Sequence, residues 1–134
     1  MTGNSDKSYI CRDGLITGEH APRIALSTAW GDRIQVCTTA HDCSGDTGSQ
    51  TSQVLNDIQG FLKKWGSDFS HLISARIWLK DIEELPQFRK VWNSWVNPEN
   101  APTVAIRQAA MAHEDIRIEI RVDALREEPN ENQN

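Results

Sequence analysis

The chain has 134 residues, a formal charge of −5 and 25% charged side chains, enough length for one domain with its own core and no need of disulfide or metal staples. The acidic balance and the absence of any Lys/Arg cluster longer than two exclude the footprint of a nucleic-acid binder. No apolar run is long enough to span a bilayer, and the first residues carry no hydrophobic signal core, so no membrane partner is expected and the cytoplasm is the expected compartment.

Taken in order, residues 1–8 are polar and expected to be a flexible N-terminus, ahead of a single domain over 9–125. Short strands are predicted at 9–16 and 23–29, separated by the turn signal at 18–22. Gly31 and Asp32 read as a hairpin turn into a β-branched, alternating strand over 33–39. A loop rich in Asp, Ser, Gly and Thr follows over 41–48. Three cysteines, an odd number without framework spacing, read as reduced thiols.

Val54, Leu55, Ile58, Phe61, Leu62 and Trp65 recur at helical spacing and predict an amphipathic helix. Thr47 with Gln50 three residues on fits a capping box, Lys63 and Lys64 suit the negative end of the dipole, and Gly66 supplies a left-handed stop. Next, Ile73, Ala75, Ile77 and Leu79 alternate with Ser74, Arg76, Trp78 and Lys80, the period of a strand with one face on that helix. Asp81 and Glu84 then suit the start of a second helix whose buried stripe is Leu85, Phe88, Val91, Trp92, Trp95 and Val96, with Pro86 tolerable only in the first turn.

Asn97 and Pro98 end that helix, and extended segments follow at 103–109 and 115–124. In the latter, Ile116, Ile118, Ile120 and Val122 alternate strictly with Arg117, Glu119, Arg121 and Asp123. The polar, proline-broken segment 126–134 is expected to be a flexible tail. The order predicts an α+β fold, a mixed sheet with two helices packed on one face. Its other face would present Arg76, Trp78, Arg117, Glu119 and Arg121, either as a solvated polar surface or as a surface covered by identical subunits.

Few groupings carry chemistry. Cys37, His41 and Cys43 form a C-x3-H-x-C string with no evident fourth ligand and no zinc-site spacing, so no metal site is expected and ordinary thiols are the simpler reading. A Cys/His nucleophile pair from the same residues stays open in principle. Trp65, Trp92 and Trp95 lie on helical stripes, leaving Trp30 and Trp78 as candidate pocket walls. Glu119, between Arg117 and Arg121, reads either as one member of a charge network or as a carboxylate that orients water.

The run Q-T-S-Q-V-L-N-D-I-Q-G-F-L-K-K-W-G-S-D-F-S-H-L-I-S-A-R-I-W-L-K-D-I, then F-R-K-V-W-N-S-W-V, A-P-T-V-A and I-R-I-E-I-R-V-D-A, resembles the reactive-intermediate deaminase family (Rid, or YjgF-like) over 27–124. The resemblance implies a chorismate-mutase-like subunit forming a homotrimer around a central barrel, with small-molecule sites in the clefts between subunits. It further implies hydrolysis of imine or enamine acids to oxo acids and ammonia without a cofactor.

In such proteins an arginine two residues after a proline on the fifth strand clamps the substrate carboxylate with two parallel hydrogen bonds. Here the string is Pro102-Thr103-Val104, so that arginine is replaced by valine. The helix-two asparagine of the family is matched by Arg89, its third-strand serine by Cys37, and the glycine after that serine by Thr38. The small or thiol residue two after the arginine becomes Ile106, and the last-strand glutamate is kept as Glu119.

The resemblance therefore implies Glu119 as the water-positioning catalytic residue, with Cys37, Thr38, Arg89, Val104 and Ile106 lining the substrate site. A ligand other than a standard 2-imino acid is expected from the lost guanidinium, unless Arg89 replaces it; a non-catalytic trimeric binder is the alternative.

Overall fold

A computed structural model describes residues 9–127. The two polar ends predicted to be flexible fall almost wholly outside the described residues. The described part is a six-stranded sheet in the order β1-β2-β3-β6-β4-β5: β1 Cys11–Ile16, β2 Ile24–Trp30, β3 Arg33–Thr39, β4 Leu72–Leu79, β5 Thr103–Gln108 and β6 Ile118–Leu125. All neighbours are antiparallel except β4 and β5, whose parallel pairing needs the crossover that α2 (Leu85–Trp95) provides. Helices α1 (Thr47–Lys64) and α2 lie together on one face, as the pattern predicts.

Between the layers sits one apolar core: Val54, Leu55, Ile58 and Leu62 of α1 and Phe88 and Trp92 of α2 meet Ile34, Val36, Ala75, Ile77, Leu79, Ile118, Ile120 and Val122. The alternation in β6 is realised in full, with Ile118, Ile120, Val122 and Ala124 all buried. Gly31 takes a positive φ of 60° at the β2–β3 hairpin, and Gly66 takes 82° to end α1.

Four local expectations are corrected. The α1 N-cap is Asp46, whose carboxylate accepts from the Ser49 N–H at 2.8 Å; Thr47 is already helical and Gln50 turns inward. A bulge between Leu72 and Ser74 in β4 shifts the register, so Leu72 enters the core while Ile73 is 39% exposed. Arg117 stands just before β6 and leaves the open face altogether, directing Nη2 to Glu84 at 2.7 Å.

Asp81 does cap, but a 3-10 turn over Ile82–Glu84 rather than α2 itself. Arg126, in the segment predicted to be a flexible tail, donates from its backbone N–H to Asp32 O at 2.8 Å and from Nε to Gly31 O at 2.9 Å.

Candidate functional site

The sheet face turned away from the helices is built by residues that period two leaves out of the core. Strand pairing arranges them in rows. Thr39, Glu119, Trp78 and Arg107 lie side by side across β3, β6, β4 and β5; the next row is Cys37, Arg121, Arg76 and Ala105; the next is Gln35, Asp123, Ser74 and Thr103.

Within these rows the Cys37 thiol donates to Oε2 of Glu119 at 3.4 Å, a contact between half-buried side chains of different strands. Ser74 donates to Asp123 Oδ2 at 2.9 Å, and Arg121 Nη2 stands 3.8 Å from Asp123 Oδ1. Burial pushes the Cys37 thiol up to about 12, reinforced by the Glu119 charge and by the hydrogen bond to it, against a smaller opposing pull from Arg121. At neutral pH Cys37 is therefore a neutral donor and not a thiolate nucleophile. The thiol thereby occupies one oxygen of the Glu119 carboxylate.

The other site candidates are distributed elsewhere within the subunit. Thr38 is buried on the helix face opposite Ile120 and donates to Thr39 O at 3.1 Å. Val104 and Ile106 pair with Ala75 and Ile77 on that same face, Val104 40% exposed at the sheet edge and Ile106 packed on the core. Arg89 is exposed on α2. The subunit thus brings Cys37 and Glu119 together and does not bring Thr38, Arg89, Val104 or Ile106 to them.

Arg76 and Arg121, directly opposed on the Glu119 face, are what a residue-by-residue reading misses as a pair. Strand parity alone puts both on that face, but only the β4–β6 register makes them neighbours.

Cys37, His41 and Cys43 do not converge: His41 Nδ1 meets Asp57 at 3.2 Å, and Cys43 donates to Ala40 O at 3.4 Å. Among the described residues, no three His, Cys, Asp or Glu side chains are grouped to hold a metal ion. A Ser70, His71 and Asp68 grouping resembles a triad only in composition. Both contacts of the imidazole use Nδ1, so no proton relay runs through the ring, and Asp68 is the cap of a 3-10 turn. A shallow groove between α1 and α2 is lined by Asp46, Ser49, Ser52, Gln87, Lys90 and Ser94. No helix of the described residues is long and apolar enough to cross a membrane.

Comparison with known proteins agrees with this architecture. Residues 35–126 match the family model described as Endoribonuclease L-PSP. The chain is 34% identical over 83 residues to a RutC family protein of Haemophilus ducreyi, covering 62% of this chain and 71% of that protein. It is 28% identical over 108 residues to the RutC family protein YoaB of Escherichia coli K12, covering 76% and 95%. Among solved structures, a member of the YjgF protein family from Neisseria meningitidis superposes with a TM-score of 0.80 at 26% identity, over 92% of this chain and 100% of that one. A protein from Pseudomonas aeruginosa gives 0.79 at 32% identity, over 89% and 100%.

Proposed function

The chain belongs to the Endoribonuclease L-PSP family, with the RutC and YjgF proteins as its relatives, and from that premise we propose that it hydrolyses the C=N bond of a small imine metabolite, or of an enamine once a solvent proton added at its carbon has converted it to the imine. The observation that carries this reading is the contact between Cys37 and Glu119. A neutral thiol donates to one carboxylate oxygen and leaves the other free on an open sheet face.

In that position Glu119 accepts a proton from a water as it attacks the iminium carbon. The C–O bond forms while the C=N electron pair moves to nitrogen. Proton transfer to the nitrogen of the resulting carbinolamine then lets the C–N bond break, giving a carbonyl compound and ammonia. The atoms balance with water as the only co-reactant.

The reading includes a homotrimer. The Glu119 face is one-sided within the subunit, and three copies packed around it would close the small-molecule clefts that the resemblance implies, in a cytoplasmic protein. Sedimentation as a particle of about 15 kDa at micromolar concentration would remove those clefts.

The test is release of ammonia and carbonyl product from imines generated in situ, both amine-derived imines made by an amine oxidase and 2-imino acids made by an amino-acid oxidase. Release above the spontaneous rate, lost in Glu119→Gln, is the expected result; an unchanged rate in that variant removes Glu119 from the mechanism. A second reading, a ligand binder without turnover, is favoured by Val104 at the position of the family's arginine. Binding of metabolites with no release of ammonia supports it.

A further inference from the structure

From the register of β4 and β6 we infer that Arg76 and Arg121 form an oxyanion clamp beside Glu119, built for the carboxylate of a small organic acid.

These arginines are direct cross-strand partners on the open face. Side chains so placed have Cβ atoms about 5 Å apart, and like charges there repel. The surroundings do little to relieve it. Among the described residues no carboxylate lies within 4 Å of the Arg76 guanidinium, and Arg121 reaches only Asp123, at 3.8 Å, beyond hydrogen-bond range and with Asp123 also held by Ser74. Neither guanidinium donates a hydrogen bond within the described chain. A planar anion shared between the two forks would convert this repulsion into charge-assisted hydrogen bonds.

The local charge points the same way. The face carries Arg33, Arg76, Arg107 and Arg121 against Glu119 and Asp123, on a chain whose net charge is −5. A cationic patch on an acidic protein marks where an anion is favoured.

Size selects the anion. Arg121 and Glu119 are two residues apart on one strand, about 6.7 Å along it, so an acid whose reactive carbon adjoins its carboxylate can span from the clamp to a water on Glu119. A phosphodiester chain laid over the same pair would meet Glu119 and Asp123 on either side. The small acid is therefore favoured over a nucleic-acid backbone.

The two guanidiniums supply an anion contact that Val104 cannot, and they restore an acid as the ligand where the lost family arginine argues against one. It rests on the Glu119 reading only for the reactive end of the substrate; the clamp itself rests on the strand register.

The test is calorimetric titration and thermal shift in low-salt buffer with 2-oxobutanoate, its neutral amide, inorganic phosphate and an oligouridylate, on the full chain and on Arg76→Gln, Arg121→Gln, Arg89→Gln and Glu119→Gln. Expected are binding of 2-oxobutanoate but not its amide, a loss of about tenfold or more in affinity for each of Arg76→Gln and Arg121→Gln, retention in Arg89→Gln, and tighter binding in Glu119→Gln, which removes a like charge beside the anion. In anion-free buffer each of the first two variants melts no lower than the parent, because each relieves a like-charge contact; that separates lost binding from lost fold.

Wild-type affinity in both variants, with loss in Arg89→Gln, would overturn the clamp. So would tighter binding of phosphate or the oligouridylate than of the acid. Clamp-dependent binding with no imine turnover would refute the hydrolase reading and leave the clamp. Turnover with an unchanged KM in both variants would refute the clamp and leave the hydrolase.

Discussion

Arg117 directs Nε and Nη2 at one oxygen, Oε1 of Glu84, at 3.0 and 2.7 Å, and the Thr47 hydroxyl donates to that same atom. One carboxylate thus ties the first turn of α1 and the turn before α2 to the entry of β6. The hydrogen bond from Thr47 chiefly, then Arg117, holds the Glu84 carboxyl below its ordinary 4.5. A carboxyl depressed in the native state adds stability that is complete above the unfolded value and drains as pH falls through the native one. Glu84→Gln is expected to cost about 1–2 kcal/mol near neutrality. It should also flatten the loss of stability below about pH 4.5, read by urea unfolding at stepped pH. Parallel acid limbs in the two proteins would show that the carboxylate is not the linkage.

The Cys37 thiol yields a prediction with the opposite sign. Raised from 9.0 to about 12 by burial first and by Glu119 second, it is protonated in the folded protein well past the point where an unfolded thiol ionises. Its contribution to stability is full below about pH 9 and is lost as pH rises through about 12. At pH 8 the exposed Cys11 should be alkylated by iodoacetamide first and Cys37 last, the site-resolved rates being read by peptide mass spectrometry. Glu119→Gln removes the charge but not the burial, so Cys37 labelling should accelerate several-fold yet stay slower than Cys11. Equal rates for Cys37 and Cys11 in the parent protein would contradict the shielded thiol.

How far these features were legible depends on whether they are local. The β6 alternation and the Gly66 stop lie within one segment, so the periodicity and a single residue type identify them. The α1 cap is ambiguous in the sequence because Asp46 and Thr47 both satisfy cap chemistry, and only the backbone path selects the first. Strict alternation points Ile73 inward because it cannot register a bulge that arises from pairing with β6. Arg117 obeys the same parity as Glu119, yet it precedes the strand and is captured by Glu84, thirty-three residues away in sequence. Glu119 stands out in the sequence by its place between Arg117 and Arg121, and the family resemblance selects the water-orienting role over the charge network. The juxtaposition of Arg76 with Arg121 required the non-local register of two strands.

Gln50 shows what a sequence reading of a polar side chain on a helix can miss. Its amide is fully buried, with Nε2 donating to the carbonyls of Cys43, Gly45 and Asp115 at 3.2, 3.2 and 3.0 Å and Oε1 accepting from the Arg117 N–H at 2.9 Å. It fastens the loop before α1 to the segment that feeds β6, and so sets where Glu119 stands. Gln50→Leu keeps the volume but strands these backbone groups, and should cost about 3 kcal/mol, measured as a lowered urea midpoint. A loss under about 0.5 kcal/mol, the range of ordinary surface changes, would mean that water replaces the amide at no cost.

Two glycines with opposite expected outcomes test the packing of the β1–β2 hairpin on α1. Gly14 has a φ of 68°, and a methyl there would stand 2.9 Å from Leu26 Cβ and 2.9 Å from Phe61 Cζ. The ring edge can swing aside, but Leu26 Cβ is fixed to β2, so Gly14→Ala must add a shift of the hairpin to about 1–2 kcal/mol of left-handed backbone strain. The expected total is about 2–3 kcal/mol. Gly60, by contrast, sits on the exposed side of α1 with nothing within 4 Å of an added methyl, and its φ is not in the left-handed region. Gly60→Ala should therefore stabilise by about 0.5–1 kcal/mol through helix propensity and a less disordered unfolded chain. Thermal midpoints moving down for the first variant and up for the second check both; a Gly14→Ala protein as stable as the parent would show that β1 does not pack against Phe61 as described.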